Sequence, residues 1–244
     1  MLSAYCVCLL KAGAWLTNFS ITVVLSAAVP KLMIGNAVTH AMLEHVPTDT
    51  RVLSTTLYDM LTFNEPEVVA SSASTPWGRA PIPQVLRTTA HVLCPLCLDN
   101  NHWVAMHACK EFNVVELFVF LQTAHEQESA ILHAKVIVRY LIAVGQLSTG
   151  VTFCVRASKE WHQTDGSSCG LFTLGVLLSL AQGRRISLDC SASSNRSQDW
   201  RRYFTQLVTL HCLGGGIARL NMSEATSEAI DLTEEAADTV IDLD

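Results

Sequence analysis

The chain has 244 residues, half of them hydrophobic and only 16% charged, so it can bury a substantial core and is not a disordered protein. Its net charge of −6 comes from the tail, because eight acids and no Lys or Arg follow position 222. Residues 1–222 hold 14 acids against 16 bases, and the absence of a basic stripe argues against a nucleic-acid partner.

The nine cysteines have no disulfide-framework spacing, which predicts reduced thiols in the nucleus or cytoplasm. The longest apolar stretch, Phe19 to Ile34, is interrupted by Pro30 and Lys31 and is too short to span a bilayer. The N-terminus also lacks the pattern of a secretory signal. We therefore expect no membrane partner, and we expect a monomer.

Apolar periodicity predicts the elements in chain order. Helices are expected over 12–29, within 49–63, and over 126–144, 170–183 and 195–212. Strands are expected over 91–98, 102–110, 113–121 and 151–157, and the polar break at 110–113 suits a hairpin. Helices around a short run of strands indicate an α/β or α+β domain over 1–215, followed by an acidic tail over 216–244 that we expect to be disordered.

Cys169 is the first candidate for chemistry, because it opens an apolar helix after a Gly-Ser-Ser turn. Unpaired N–H groups and the positive end of the helix dipole would stabilise a thiolate there. The turn keeps side chains small, so that a substrate backbone could approach. A buried structural cysteine is the competing interpretation, and the Cys-Gly pair alone does not exclude it.

A cysteine nucleophile needs an imidazole, and His102 at the start of a predicted strand is the candidate. Trp103 follows it directly, and Gln163 lies six positions before Cys169. Each of these features alone is weak evidence, but the combination is more specific.

In their order along the chain, Trp15-Leu16, His102-Trp103 and Gln163 to Cys169-Gly170 resemble the ubiquitin-like-protein-specific protease family, the SUMO proteases. The resemblance implies a papain-like fold in which the nucleophile opens a central buried helix packed on a short mixed sheet. It also implies that Cys169 attacks the carbonyl after a diglycine, that His102 moves the proton and that Gln163 contributes to an oxyanion hole. Trp103 and Trp15 would flank a tunnel for the diglycine. No cofactor is implied.

One family residue is missing. The family places an Asp 17 positions after the histidine, where it orients the imidazole, and this chain has Val119 there. The nearest acid in that strand, Glu116, should face the opposite side of the sheet. Such an acid contributes about 10⁴ in kcat in a serine triad, and a Cys–His pair depends on it less. We therefore expect a weakened cysteine peptidase.

Two further motifs lie outside this set of residues. Cys94 and Cys97 form a CxxC, but no second pair stands at zinc-finger distance, so core thiols and no metal are predicted. In the tail, two short runs of aliphatic residues among acids resemble SUMO-interacting motifs, which add a strand to the modifier's sheet edge. Their apolar residues are Ile230, Leu232, Val240, Ile241 and Leu243.

The alternatives are a catalytically impaired module that binds SUMO or another ubiquitin-like modifier, and a protease for ubiquitin or NEDD8. The sequence does not distinguish precursor processing from deconjugation.

Overall fold

The structure is a computed structural model that describes residues 16–28, 33–34, 49–55, 60–61, 82–99, 101–157, 162–183, 194–212 and 239–241. Within these ranges the strands are β1 (Met33–Ile34), β2 (Thr50–Leu53), β3 (His91–Leu98), β4 (His102–Cys109), β5 (Val114–Phe118), β6 (Thr152–Arg156) and β7 (Thr239–Ile241). The helices are α1 (Asn18–Ala28), α2 (Ile82–Thr88), α3 (Ala124–Ala143), α4 (Cys169–Ala181) and α5 (Ser194–Cys212).

The strands form one mixed sheet in the order β1 to β7. The pairs β1–β2, β2–β3 and β5–β6 are parallel, whereas β3–β4, β4–β5 and β6–β7 are antiparallel. The predicted α/β class with a mixed sheet is confirmed. A hairpin joins β4 to β5 at the polar break, as the sequence predicts.

Both faces of the sheet are covered. On one face, side chains of β4 and β5 such as Met106 and Leu117 pack with Ile137 and Leu141 of α3. On the other face, Ala105 and Phe118 pack with α4, and helices α1 and α5 lie in the same apolar cluster. Helix α4 is apolar all round because it is enclosed on all sides, and ten of its residues are buried.

The helix predicted within 49–63 excludes the first part of this range, where Thr50–Leu53 form β2, whereas Thr55 and residues 60–61 are helical. The β-branched Thr50 and Val52 pair in parallel with β3, and three of the four residues of this strand are buried. This pairing with a neighbouring strand outweighed the local helical spacing.

The CxxC pair lies on a strand, and its two thiols face opposite sides of the sheet. Cys94 belongs to the cluster under α3 and Cys97 to the cluster under α4. A spacing of three residues in a strand requires this separation, so the two sulfurs cannot share one metal ion.

The tail contributes a strand. Thr239–Ile241 pairs antiparallel with β6, with Val240 opposite Cys154. Without it β6 would expose an open edge, and a β-branched run suits that position. Ile230, Leu232 and Leu243 lie outside the described residues. None of the helices in the described ranges combines the length and the apolar character needed to cross a membrane.

Gly170 allows α4 to approach the segment before α1. A Cβ at this position would lie 3.0 Å from Leu16 Cβ and 3.3 Å from Ile21 Cδ1.

We expect Gly170→Ala to lower the free energy of unfolding by about 1–3 kcal/mol, because the neighbours must shift. Urea unfolding measures this change. Gly166→Ala is the control, since nothing lies within 4 Å of its added Cβ. Equal stability of the two variants would contradict the close approach.

Candidate active site

The candidate nucleophile is the first residue of the central helix. Cys169 opens α4, and its N-cap residue, Ser168, makes no side-chain capping bond. The positive end of the helix dipole therefore lies at the nucleophile without a side-chain cap. The residue itself is 1% exposed.

A hydrogen-bonded turn holds the segment in front of the nucleophile. Asp165 Oδ1 accepts from the backbone N–H groups of Ser167 at 2.9 Å and Ser168 at 2.8 Å, and Oδ2 accepts from Ser168 Oγ at 2.6 Å. Burial raises the pKa of Asp165, but these hydrogen bonds outweigh it and lower the pKa overall. The anionic side chain thus fixes the approach to Cys169.

The candidate base stands at the start of β4. His102 pairs with Leu98 across a turn that is closed by a 3.0 Å bond from Asn101 N to Leu98 O. Asp99 in this turn has a φ of 49° and accepts from Ser129 Oγ of α3 at 3.2 Å. The turn is therefore anchored to α3, and this fixes the histidine at the strand end.

The structure brings His102 and Cys169 together, and the Cys169 thiol interacts with the imidazole and raises its pKa. The other partner of the ring is Glu126, with 2.6 Å between His102 Nε2 and Glu126 Oε1. Burial lowers the pKa of His102, but the bonds to Cys169 and Glu126 raise it to about 9. At neutral pH the ring is therefore positively charged.

Glu126 was not singled out from the sequence. It lies in the first turn of α3, whose N-cap is Thr123, and it is 3% exposed. Burial raises its pKa, but hydrogen bonds from His102 and from the Phe120 backbone lower it overall. The sequence did contain a signal, because Thr123 and Glu126 fit the capping-box pattern directly after a predicted strand.

The expectation that the imidazole has no carboxylate partner is therefore wrong. Val119 is indeed fully buried among apolar residues under α3. Glu116 does not replace the acid, since it binds His107 Nδ1 at 2.7 Å and Arg156 Nη2 at 2.7 Å. The carboxylate reaches His102 from a helix, seven positions after Val119.

Gln163 lies beside the same scaffold. Its backbone N–H donates to Phe120 O at 2.7 Å, and its side-chain nitrogen donates to Asp165 O at 2.5 Å. The side-chain oxygen is buried and has no hydrogen-bond partner. Its role in an oxyanion hole stays a prediction.

Trp103 is buried at 2% exposure, and its indole N–H donates to Leu16 O at 2.7 Å. This bond ties the strand of the candidate base to the segment before α1. Trp15, the other predicted tunnel wall, lies outside the described residues.

Arg201 of α5 is a second residue that the sequence did not reveal. It is 8% exposed and interacts electrostatically with Asp165 and Cys169. Burial lowers the pKa of this guanidinium, whereas the two acidic groups raise it. Arg201 is therefore a cation of α5 that lies near both the turn and the candidate nucleophile.

The fold of this chain is similar to that of known proteins. A SUMO protease Ulp1 with its catalytic cysteine oxidised to a sulfenic acid has a TM-score of 0.59 and 13% identity, over 84% of this chain and 82% of that one. The Ulp1 protease domain in complex with Smt3, the yeast ortholog of SUMO, has a TM-score of 0.59 and 12% identity, over 84% and 81%. The Chaetomium thermophilum Ulp1-like SUMO protease catalytic domain has a TM-score of 0.51 and 16% identity, over 82% and 74%.

At these identities the structural matches establish the papain-like fold of the SUMO proteases and no more. No curated protein sequence is similar enough to count as a match. Residues 33–212, most of the chain, match the profile of the Ulp1 protease family, C-terminal catalytic domain. The chain therefore belongs to the Ulp1 family of cysteine peptidases.

Proposed function

We propose that this chain is a thiol peptidase or isopeptidase that cleaves after the diglycine of a SUMO-like modifier. The observation that carries the proposal is that the His102 imidazole interacts with the Cys169 thiol at the start of α4 and is bonded to the Glu126 carboxylate at 2.6 Å. Family membership and the similarity to a Ulp1 domain in complex with Smt3 support the choice of modifier.

In the proposed reaction, the Cys169 thiolate attacks the carbonyl carbon of the terminal glycine and forms a tetrahedral intermediate. The oxyanion is stabilised by the Cys169 backbone N–H and the Gln163 amide. The His102 imidazolium donates its proton to the leaving amine as the C–N bond breaks, which leaves a thioester. His102 then takes a proton from water, whose oxygen displaces the thiolate. Apart from the substrate and one water molecule, every group in this reaction is a protein side chain or backbone amide. No cofactor is required.

Specificity for diglycine is assigned to flat aromatic walls, because a narrow passage excludes any residue that has a Cβ. Trp103 is held rigidly by its bond to Leu16 O, which supports a wall function. Trp15 is proposed as the opposite wall on the basis of family resemblance.

The tail is proposed to bind the modifier through Ile230, Leu232, Val240, Ile241 and Leu243. The pairing of Thr239–Ile241 with β6 supports this proposal, since it demonstrates that the segment can join a sheet edge as an antiparallel strand. Binding of a modifier sheet would replace this internal pairing. The acids of the tail would complement a basic rim.

A modifier-binding module without turnover is the second candidate. The observation that favours it is the burial of the thiol, since Cys169 is only 1% exposed. The His102 side chain, at 12% exposure, leaves an opening on the imidazole side. Access of an electrophile to the sulfur therefore decides between the two candidates.

A SUMO probe that ends in diglycine and carries an electrophile should label Cys169. The expected result is one adduct on the wild-type chain and none on Cys169→Ala, because the imidazole of His102 interacts with this thiol. Mass spectrometry of the intact protein measures it. Parallel ubiquitin and NEDD8 probes should react at least about tenfold more slowly, a difference of about 1.4 kcal/mol.

Cys154→Ser is the matched control for that experiment. Cys154 is half-buried, whereas Cys94, Cys97, Cys109 and Cys169 are buried, so among these five Cys154 is the thiol most open to indiscriminate labelling. Labelling that persists in Cys169→Ala and disappears in Cys154→Ser would remove the peptidase proposal. So would no labelling of the wild-type chain.

Val240→Asp combined with Ile241→Asp should weaken binding of SUMO to the full chain by about fivefold or more, because two anchors of the strand are lost. Calorimetry in a Cys169→Ala background measures the affinity without cleavage. The control is Ala236→Ser combined with Ala237→Ser, in the same tail. Unchanged affinity in the double Asp variant would exclude this part of the tail from binding.

Val119→Asp should not increase turnover, because His102 already has a carboxylate partner. It should lower the free energy of unfolding by about 3 kcal/mol or more, since a buried charge would be left uncompensated. Urea unfolding and the rate of probe labelling measure the two effects, with Val119→Thr as the uncharged control. A large gain in labelling by the Asp variant would mean that the wild-type imidazole lacks an effective acid.

A further inference from the structure

We propose that Glu126 is the positioning residue of this active site, and that the role of the missing strand Asp has passed to a carboxylate in the first turn of α3. The inference rests on the proposed function for its catalytic meaning. The structural part of the inference is that Glu126 orients the His102 imidazole and favours its protonated form. This part can be tested separately.

The bond to His102 determines which ring nitrogen faces the nucleophile. An ionised carboxylate can only accept, so Nε2 must carry a hydrogen in the 2.6 Å bond to Glu126 Oε1. The remaining ring nitrogen, Nδ1, is then the one available to the Cys169 thiol, which also interacts with this ring. Glu126 therefore selects the tautomer of the neutral ring and its orientation.

The carboxylate is itself held in place. Phe120 N–H donates to Oε1 at 2.9 Å, and Gln122 N–H donates to Oε2 at 2.6 Å. The first turn of a helix also stabilises negative charge through the helix dipole. With three donors on two oxygens, Glu126 stays ionised and cannot rotate away from His102.

A purely structural role is the competing explanation. Thr123 Oγ1 accepts from Glu126 N at 3.1 Å, which is half of a capping box. In a capping box, however, the Glu side chain returns to the backbone N–H of the N-cap residue. Here the carboxylate binds the amides of Phe120 and Gln122 and the imidazole instead. Capping alone does not require a bond to His102.

The charges around the imidazole agree with a positioning role. Glu126 faces the ring from α3 and Cys169 faces it from α4, and both favour the imidazolium. Arg201 of α5 acts on Cys169 and Asp165. Removal of the Glu126 charge would leave the thiol as the only one of these acidic groups that binds the ring.

The test compares Glu126→Gln with Glu128→Gln, an exposed acid in the same part of α3. NMR titration of His102 should show its pKa fall from about 9 by about one pH unit or more in Glu126→Gln and stay unchanged in Glu128→Gln. This readout does not depend on turnover. An unchanged pKa in folded Glu126→Gln would overturn the inference.

The kinetics of probe labelling test the catalytic part of the inference. We expect Glu126→Gln to slow reaction of the diglycine probe by about 10- to 100-fold and to move the alkaline limit of the rate to lower pH. Wild-type rate and pH profile in this variant would overturn the inference. If the wild-type chain does not react, the proposed function fails, while the NMR titration still decides whether Glu126 controls His102.

Glu126→Asp keeps the charge and serves as a second variant in case Glu126→Gln does not fold. A pKa for His102 that stays closer to 9 in Glu126→Asp than in Glu126→Gln would support an electrostatic role. If both variants lost the same amount of stability and His102 kept its wild-type pKa in both, Glu126 would act by capping alone. That result would overturn the inference.

Discussion

The backbone of Phe120 connects the two sides of the active site. Its N–H donates to the carboxylate that holds His102, and its carbonyl accepts from the backbone of Gln163, at the start of the segment that leads to Cys169. Its ring contacts Phe172 of α4, with 5.4 Å between centroids. This one residue, two positions after the end of β5, therefore links α3, α4 and the approach to the nucleophile. Such a shared anchor allows a thiol and an imidazole from different elements to meet.

Burial makes each charge in the site depend on the others. His102 and Glu126 are both largely removed from water, where an isolated charge would be costly. Each carries a compensating partner, since the imidazole lies between the carboxylate and the thiol. Behind them, Asp165 is satisfied by the turn and Arg201 by its acidic neighbours. An imidazolium at neutral pH follows from this arrangement and not from His102 alone.

The location of the acid illustrates how a catalytic role can be kept while its residue moves. What the imidazole requires is a fixed carboxylate oxygen at hydrogen-bond distance from Nε2. A strand residue at position 119 is one way to supply it, but Val119 belongs to the core beneath α3. The next helix begins five residues later and turns its third residue back towards the strand end. Helix α3 thereby supplies the carboxylate oxygen that the imidazole requires, in place of a strand residue.

The sequence by itself determined the residues that local patterns define. Cys169 at the mouth of an apolar helix, His102 at a strand start and most helices were predicted, because periodicity and caps act over a few residues. Glu126 and Arg201 were not, because their roles come from contacts 24 and 32 positions away along the chain, with His102 and Cys169. The register of β4 against β3 and the turn of α3 decide those contacts. Tertiary packing alone could replace the missing acid, since only it brings a helix terminus to the imidazole.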